Sequence, residues 1–355
     1  MITNALISRF GTKLPIIQAP MASATTPDMV VAAAQAGALG SLGAAYMAPE
    51  EIAAAIRDIK AQIDVPFQVN LFSPSSEQTI TDYDISQASQ RLSQIRAHLG
   101  LANVNELPEV KNNFGEQLEV VLQEKIPIVG FHFGFPKGCF IEKVKSSGAF
   151  IVGCATSPLD ARALEEEGAD AIIAQGFEAG GHQGTFNREE APSMLGLMAL
   201  VPQVVDAVSV PVIAAGGLMD GRGIAAVLKL GASAAQLGTA FLATPESKAH
   251  RKHKEILLSG NYTNTRITRA FSGRPARGII NAMMNHLDDT PENILPFPYQ
   301  HSLTSKIRLE AARQEKSEYL SMWAGQGASM VRGQNTGEII AALARELDLA
   351  LALDQ

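Results

Sequence analysis

The chain has 355 residues, 46% hydrophobic and 18% charged, which excludes disorder as the main state and supplies enough apolar material for a large core. Its net charge of −7 and pI near 5.6 argue against a broad electrostatic nucleic-acid surface. One large α/β domain, whose regular part takes roughly 250 residues, accounts for this length with an insertion as well as two domains do.

Short apolar runs alternate with helical stretches almost from the start. The pattern predicts a strand at Ile16–Met21, a helix at 27–36 closed by Gly37, a strand at Leu39–Ala44, a helix at Pro49–Lys60 and a strand at Pro66–Phe72. Residues 73–112 are polar, with one helical stretch near Ser86–Leu99, and read as an excursion. A helix is expected at Phe114–Glu124, and the alternation then resumes. Strands are expected at Ile126–Gly134, Phe150–Ala155, Ala171–Gln175, Pro211–Gly217 and Ala234–Phe241. Helices are expected between them at Phe140–Ser146, Pro158–Glu167, Met194–Val208 and Asp220–Leu230.

These are eight continuous apolar strands with helical crossovers, which points to parallel pairing with both faces buried. A closed (β/α)8 TIM barrel is the first expectation and an open doubly wound sheet the second. The barrel should occupy 1–245, with the insertion at 73–112. A smaller subdomain is expected at 246–304, and helices at Ser305–Trp323 and Thr336–Leu353, within 305–355, should pack back on the barrel.

Cys139 and Cys154 form no CxxC pair, so neither a zinc site nor a disulfide framework is expected. Arg9, Lys13 and Pro15 fall where a signal peptide needs an unbroken apolar run. The most apolar stretch, Ala225–Ala243, is interrupted by Lys229, two glycines and Gln236, so no membrane span is expected and the cytoplasm is the default location.

Function in such a barrel gathers at the C-terminal strand ends. There the sequence places Pro20-Met21, Asn70, His132, Gln175, the loop GFEAGGHQG at 176–184, Gly216-Gly217 and Gln236-Leu237-Gly238-Thr239. Glycine pairs after strands seven and eight let backbone N–H groups approach an anion, and the Thr239 hydroxyl adds a donor, so a phosphate site is favoured over plain tight turns. His182 is a candidate for proton transfer or for holding an anion. His132 reads first as a hydrogen-bonded core histidine and second as a pocket residue. Asn70 and Gln175 can donate and accept at once, which suits a heterocycle, although each alone more readily serves a loop backbone. No GxSxG or metal-ligand spacing occurs. His250 and His253 read as a solvated basic face, and Arg266, Arg269, Arg274 and Arg277 as structural salt bridges or a subunit contact.

The segments IIQAPMA (16–22), FQVNLF (67–72), FHFGFP (131–136), QGFEAGGHQGTF (175–186), AAGGLMDGRGI (214–224), LGASAAQLGTAFLATPES (230–247), FSGRPARG (271–278) and MWAGQG (322–327) together resemble the nitronate monooxygenase family, formerly called 2-nitropropane dioxygenases. The resemblance is weakest over 73–112 and 282–300. It implies a TIM barrel with a smaller second domain that binds FMN without metal. FMN would contact Pro20, Met21, Ala22, Asn70, Gln175, Gly180, Gly181, Gly216, Gly217, Gln236, Leu237, Gly238 and Thr239. His182 would be the active-site histidine, with His132, Tyr299 and Lys306 as further pocket residues. The resemblance also implies oxidation of alkyl nitronates, notably propionate 3-nitronate, by O2 through a flavin semiquinone, giving an oxo compound with nitrite and nitrate.

Several alternatives stay open in the sequence. His182 acts either as a base or as an anion stabiliser. The chain is either this monooxygenase, an FMN-dependent NAD(P)H:quinone or enoyl-thioester reductase, or a flavin-binding protein without turnover. Whether it forms a homodimer is also open.

Overall fold

The computed structural model describes residues 4–74, 80–104, 106, 107, 110, 112–186, 193–260 and 264–352. Counting the two-residue β7 (Gly181–His182) in chain order, the main strands are β1 (Ile16–Gln18), β2 (Ser41–Gly43), β3 (Gln68–Phe72), β4 (Ile128–His132), β5 (Phe150–Ala155), β6 (Ala171–Gln175), β8 (Val212–Ala215) and β9 (Ala234–Leu237). They pair in the order β1-β9-β8-β6-β5-β4-β3-β2, every pair parallel. A parallel bridge from Ile17 to Leu39 joins the two ends, and the Gln18 amide donates to the Leu39 carbonyl at 2.9 Å. The sheet is therefore a closed eight-stranded barrel, and the open sheet is excluded.

Helices α1 (Ala5–Phe10), α2 (Pro27–Gln35), α3 (Pro49–Gln62), α4 (Asp82–His98), α5 (Phe114–Gln123), α6 (Cys139–Ser147), α7 (Pro158–Glu166), α8 (Leu197–Ala207) and α9 (Gly221–Lys229) are followed by α10 (Arg251–Leu258), α11 (Ala282–Asp288), α12 (Tyr299–Arg313) and α13 (Thr336–Ala352). Their starts are written locally. Thr26, Ser157 and Asp220 cap α2, α7 and α9 through side-chain oxygens, and Pro27 and Pro158 follow two of these caps. Each such cap is worth about 1 kcal/mol.

Strand alternation splits the core into layers. Ile128 points inward with Ile17, Leu39, Val152, Ile173 and Ile213, while its neighbour Val129 joins the strand–helix layer. Leu6 and Phe10 of α1 fill the inner cluster, an element the sequence pattern did not announce. A second core lies outside the barrel. Leu92 and Ile95 of α4 join Met283, Met284 and Leu287 of α11 and Leu303, Ile307 and Ala311 of α12.

Three expectations change. First, α12 belongs to the second core, because its apolar positions 303, 307 and 311 recur one helical turn apart and face that cluster; α13 is the C-terminal helix that lies against α9 and α2. Second, the eighth barrel strand stops at Leu237, and Thr239–Phe241 form a 3-10 turn instead. Third, α12 starts at Tyr299 and ends at Arg313, so the helix expected at Ser305–Trp323 is shifted toward the N-terminus. Leu353, the expected last residue of the final helix, lies outside the described residues, as do 75–79 of the polar excursion.

A small second sheet, unforeseen in the sequence, has the order β10-β11-β7, with β10 at Thr265–Thr268 and β11 at Ala276–Ile279. It carries the segment that contains His182.

Candidate active site

His182 is fixed by its backbone before its ring is considered. In β7 it pairs antiparallel with Ala276 of β11, and Gly181 pairs with Arg277. Its carbonyl accepts from Gln175 Nε2 at 3.0 Å and faces His132 Nε2 at 3.1 Å. A carbonyl only accepts, so His132 carries its proton on Nε2. Gln175 Oε1 in turn accepts from the Gly184 amide at 2.7 Å. Gln175 and His132, at the ends of β6 and β4, thus hold the loop that presents His182. Two arginines brace the same loop. Arg277 Nε donates to the Phe177 carbonyl at 3.0 Å, and Arg274 Nη1 donates to the Thr185 carbonyl at 3.0 Å. Arg274 also stacks 3.7 Å from the centre of the Phe133 ring. Of the remaining arginines in this segment, Arg266 pairs with Asp288 at 2.9 Å.

The His182 ring is buried among Phe72, Phe133 and Trp323, with centroids 5.7, 5.7 and 5.5 Å away. Its Nε2 lies 2.9 Å from Ser272 Oγ. Burial pushes its pKa well below the usual value, and the repulsion a second charge would meet from His132 or His301, and the standing charges of Arg274 and Arg308, push the same way. His132 is lowered to about 4 by burial, His253 to about 4 by burial and His250, and His301 to about 3 by burial and Arg308. These histidines are neutral at pH 7.

A cavity of about 400 Å³ opens at the C-terminal ends of the barrel strands. The expected residues that line it are Pro20, Met21, Ala22, Asn70, His132, Gln175, Gly180, Gly181, His182, Gly216, Gly217, Gln236, Gly238 and Thr239. Among the described residues that line it there is no Asp or Glu, while Lys248 and Arg308 are cationic. That charge pattern suits an anion, in a chain whose own net charge is −7. Gln236 Oε1 is buried there without a hydrogen-bond partner among the described residues. A buried acceptor of this kind costs free energy unless a ligand supplies a donor. At Gly181, φ is +76° and an added Cβ would meet nothing within 4 Å, so bare backbone faces open space.

Three expected residues do not line the cavity. Leu237 is fully buried in the strand–helix layer. Tyr299 packs against the second core, and Lys306 is exposed. The reason is helical phase: the face of α12 turned to the cavity carries His301 and Arg308, seven residues or two turns apart. The solvated reading of His250 and His253 is also corrected. Both line the cavity and His253 is buried, because α10 turns this side of a basic segment inward. Tyr46, Ser272 and Trp323 line it too and were missed, since no local pattern marks them.

A closed barrel with a cavity at the C-terminal ends of its strands, no carboxylate among the described lining residues and a buried neutral histidine in its wall is the architecture of a barrel enzyme whose site lies at that end. The profile of the nitronate monooxygenase family matches residues 3–346, and the chain belongs to that family, whose members are flavin-dependent oxidoreductases. It is 39% identical over 329 residues to a probable nitronate monooxygenase of Bacillus subtilis, covering 91% of this chain and 93% of that one. It is 37% identical over 357 residues to one of Staphylococcus haemolyticus, covering 99% and 98%. Among solved structures, nitroalkane oxidase from Streptomyces ansochromogenes superposes with a TM-score of 0.90 at 38% identity, covering 99% of this chain and 100% of that one. FabK from Thermotoga maritima superposes at 0.76 with 28% identity, covering 99% and 98%.

The buried histidines make stability depend on pH with a definite sign. Below 6.5 the unfolded chain protonates them while the folded chain does not, so stability falls as pH drops from 6.5 toward the folded values near 4 and 3. For His132 alone the shift corresponds to about 3 kcal/mol. Thermal melting should drop steadily between pH 6.5 and 4, and His253→Asn should show a shallower drop. An identical slope in the variant contradicts the assignment of His253 as a buried neutral group.

Proposed function

We propose that this chain is an FMN-dependent nitronate monooxygenase that oxidises alkyl nitronates, notably propionate 3-nitronate, with O2 to an oxo compound with nitrite and nitrate. The observation that carries this is the cavity: it has room for a flavin-sized ligand, no carboxylate among its described lining residues, and His182 neutral at one wall. The residues fit FMN. Gln236 supplies a buried acceptor that lacks a donor among the described residues, and Asn70, on β3, a second amide elsewhere in the lining. Gly216, Gly217 and Gly238 leave backbone free for a phosphate. Thr239 Oγ1 already accepts from the Gly325 amide at 2.9 Å, which leaves its hydroxyl proton to donate. Pro20, Met21 and Ala22 form an apolar rim for the ring. Bound there, FMN supplies the transfer of electrons from the nitronate to O2.

The chain's own residues do the rest. Ser272 Oγ lies 3.3 Å from the Arg274 carbonyl, to which it donates, and so accepts from His182 Nε2–H. This leaves the lone pair on His182 Nδ1, a nitrogen without a protein partner among the described residues. A neutral imidazole so arranged removes the α-proton of a neutral nitroalkane, the bond to hydrogen breaking as its electron pair moves toward the nitro group. A substrate that arrives as the nitronate has no such proton to lose. Phe72, Phe133 and Trp323 keep water from the ring, and Phe72 and Trp323, which line the cavity, hold the substrate close, which supplies rate by proximity.

Two variants test these roles. His182→Asn should lower turnover of neutral nitroethane by about 10²-fold or more while pre-formed ethyl nitronate is still oxidised. Equal loss on both substrates contradicts the base role. Gly238 has φ −109°, and an added Cβ there meets only Ala19 and Met21, at 3.5 and 3.7 Å, so Gly238→Val should fold yet narrow the cradle. The purified variant should be colourless with a Tm close to wild type, and full yellow occupancy contradicts the phosphate placement. O2 uptake with propionate 3-nitronate decides the reaction as a whole. If NADH bleaches the flavin rapidly and nitronates do not, the protein is a reductase.

A further inference from the structure

The machinery above leaves one half-buried cation of the cavity wall unused. Arg308, on the inner face of α12, lines the cavity. Its Nη2 lies 3.3 Å from His301 Nδ1 and donates to the His301 carbonyl at 3.0 Å, while its Nε is buried without a partner among the described residues. Among the described residues it forms no ion pair, and no Asp or Glu lines the cavity beside it. A guanidinium drawn away from water costs free energy unless an anion offsets it, and among the described residues none does.

The neighbours of Arg308 are arranged as donors. Guanidinium nitrogens only donate, so His301 Nδ1 accepts and His301 Nε2 carries the proton. The Tyr46 ring stacks on His301 at 4.5 Å and 19°. Withdrawal of the Tyr46 hydroxyl from water raises its pKa to about 12, so it keeps its proton. Arg308, His301 and Tyr46 all line the cavity, and neither His301 nor Tyr46 carries a negative charge that would neutralise the guanidinium.

The position of the cluster separates it from the phosphate cradle and ties it to the reacting centre. Phe72 ends β3, four strands round the ring from β8, which opens the glycine cradle. The Phe72 ring is 5.7 Å from His182 on one side and 5.4 Å from Tyr46 on the other. The cluster therefore lies about one aromatic ring beyond the histidine.

We propose that Arg308, with the Tyr46 hydroxyl and His301 Nε2–H, forms a second anion subsite that takes a carboxylate carried by the substrate a few bonds from its reacting carbon. Arg308 is then the residue that sets the preference for carboxylate-bearing nitronates over plain alkyl ones. This assignment rests on the nitronate oxidation proposed above. Arginine suits the task because its planar fork binds a carboxylate through two parallel hydrogen bonds, which a lysine cannot copy.

The test compares two three-carbon substrates, propionate 3-nitronate and propyl-1-nitronate, on the yellow holoenzyme. Wild type should favour the first in kcat/KM. Arg308→Gln should lower kcat/KM on propionate 3-nitronate by at least about 30-fold and leave propyl-1-nitronate within about threefold, with Arg308→Lys recovering part of the loss. The Tm of Arg308→Gln should equal or exceed wild type, because a half-buried cation with no counter-charge among the described residues has been removed. Equal losses on both substrates, or an unchanged preference, overturn the proposal. Succinate gives a reading that does not depend on turnover: it should raise the Tm of wild type and not of Arg308→Gln. If wild type oxidises neither nitronate, the proposed reaction fails, and succinate alone then decides the subsite. Stabilisation lost in Arg308→Gln supports it, and no stabilisation of wild type overturns it.

Discussion

Two backbone pairs, His182 with Ala276 and Gly181 with Arg277, fasten the loop after β6 to a segment nearly a hundred residues further along the chain. The site depends on this pairing. It fixes the backbone of His182, and the side chains of Gln175 and His132 then lock the carbonyl from the barrel side. Arg274 and Arg277 follow from the same β11 segment and bind carbonyls of the same loop. A loop rich in glycine is thereby held by hydrogen bonds on both flanks, which offsets the conformational freedom that glycine brings.

The electrostatics follow from what β4, α12 and the β11 segment place around the His182 loop. Histidines 132, 182 and 301 lie close to two arginines in space with little water, so each is held neutral. The described lining of the cavity also lacks carboxylates, although acidic residues outnumber basic ones in the chain as a whole. A neutral imidazole is what the proposed proton removal would require, and a half-buried guanidinium what the proposed anion subsite would require. Both conditions come from the same packing.

The barrel was legible in the sequence because its strands are continuous apolar runs buried on both faces and its helices start at Thr26-Pro27, Ser157-Pro158 and Asp220, where the chain writes its own caps. The strand-end residues were legible for the same reason: once the strands are placed, their ends are known. The β7–β11 pairing was not legible, since two residues of strand carry no periodicity and the partner is remote. The helix expected at Ser305–Trp323 begins six residues earlier, and the resemblance points to Tyr299 and Lys306 where His301 and Arg308 face the cavity, a displacement of two residues that turns the helix by more than half its circumference. Phase on a helix that packs against a second core is set by that core, and the contributions of Leu92 and Ile95 from the 73–112 excursion are invisible from α12 alone.

The cavity as a holder of FMN and of a small anion is tested most directly by one spectrum. Purified protein should show an oxidised flavin absorbance near one equivalent per chain, and anaerobic addition of propionate 3-nitronate should bleach it. Folded protein that is colourless and takes up no FMN, or a bound flavin whose spectrum the nitronate leaves untouched, contradicts the account.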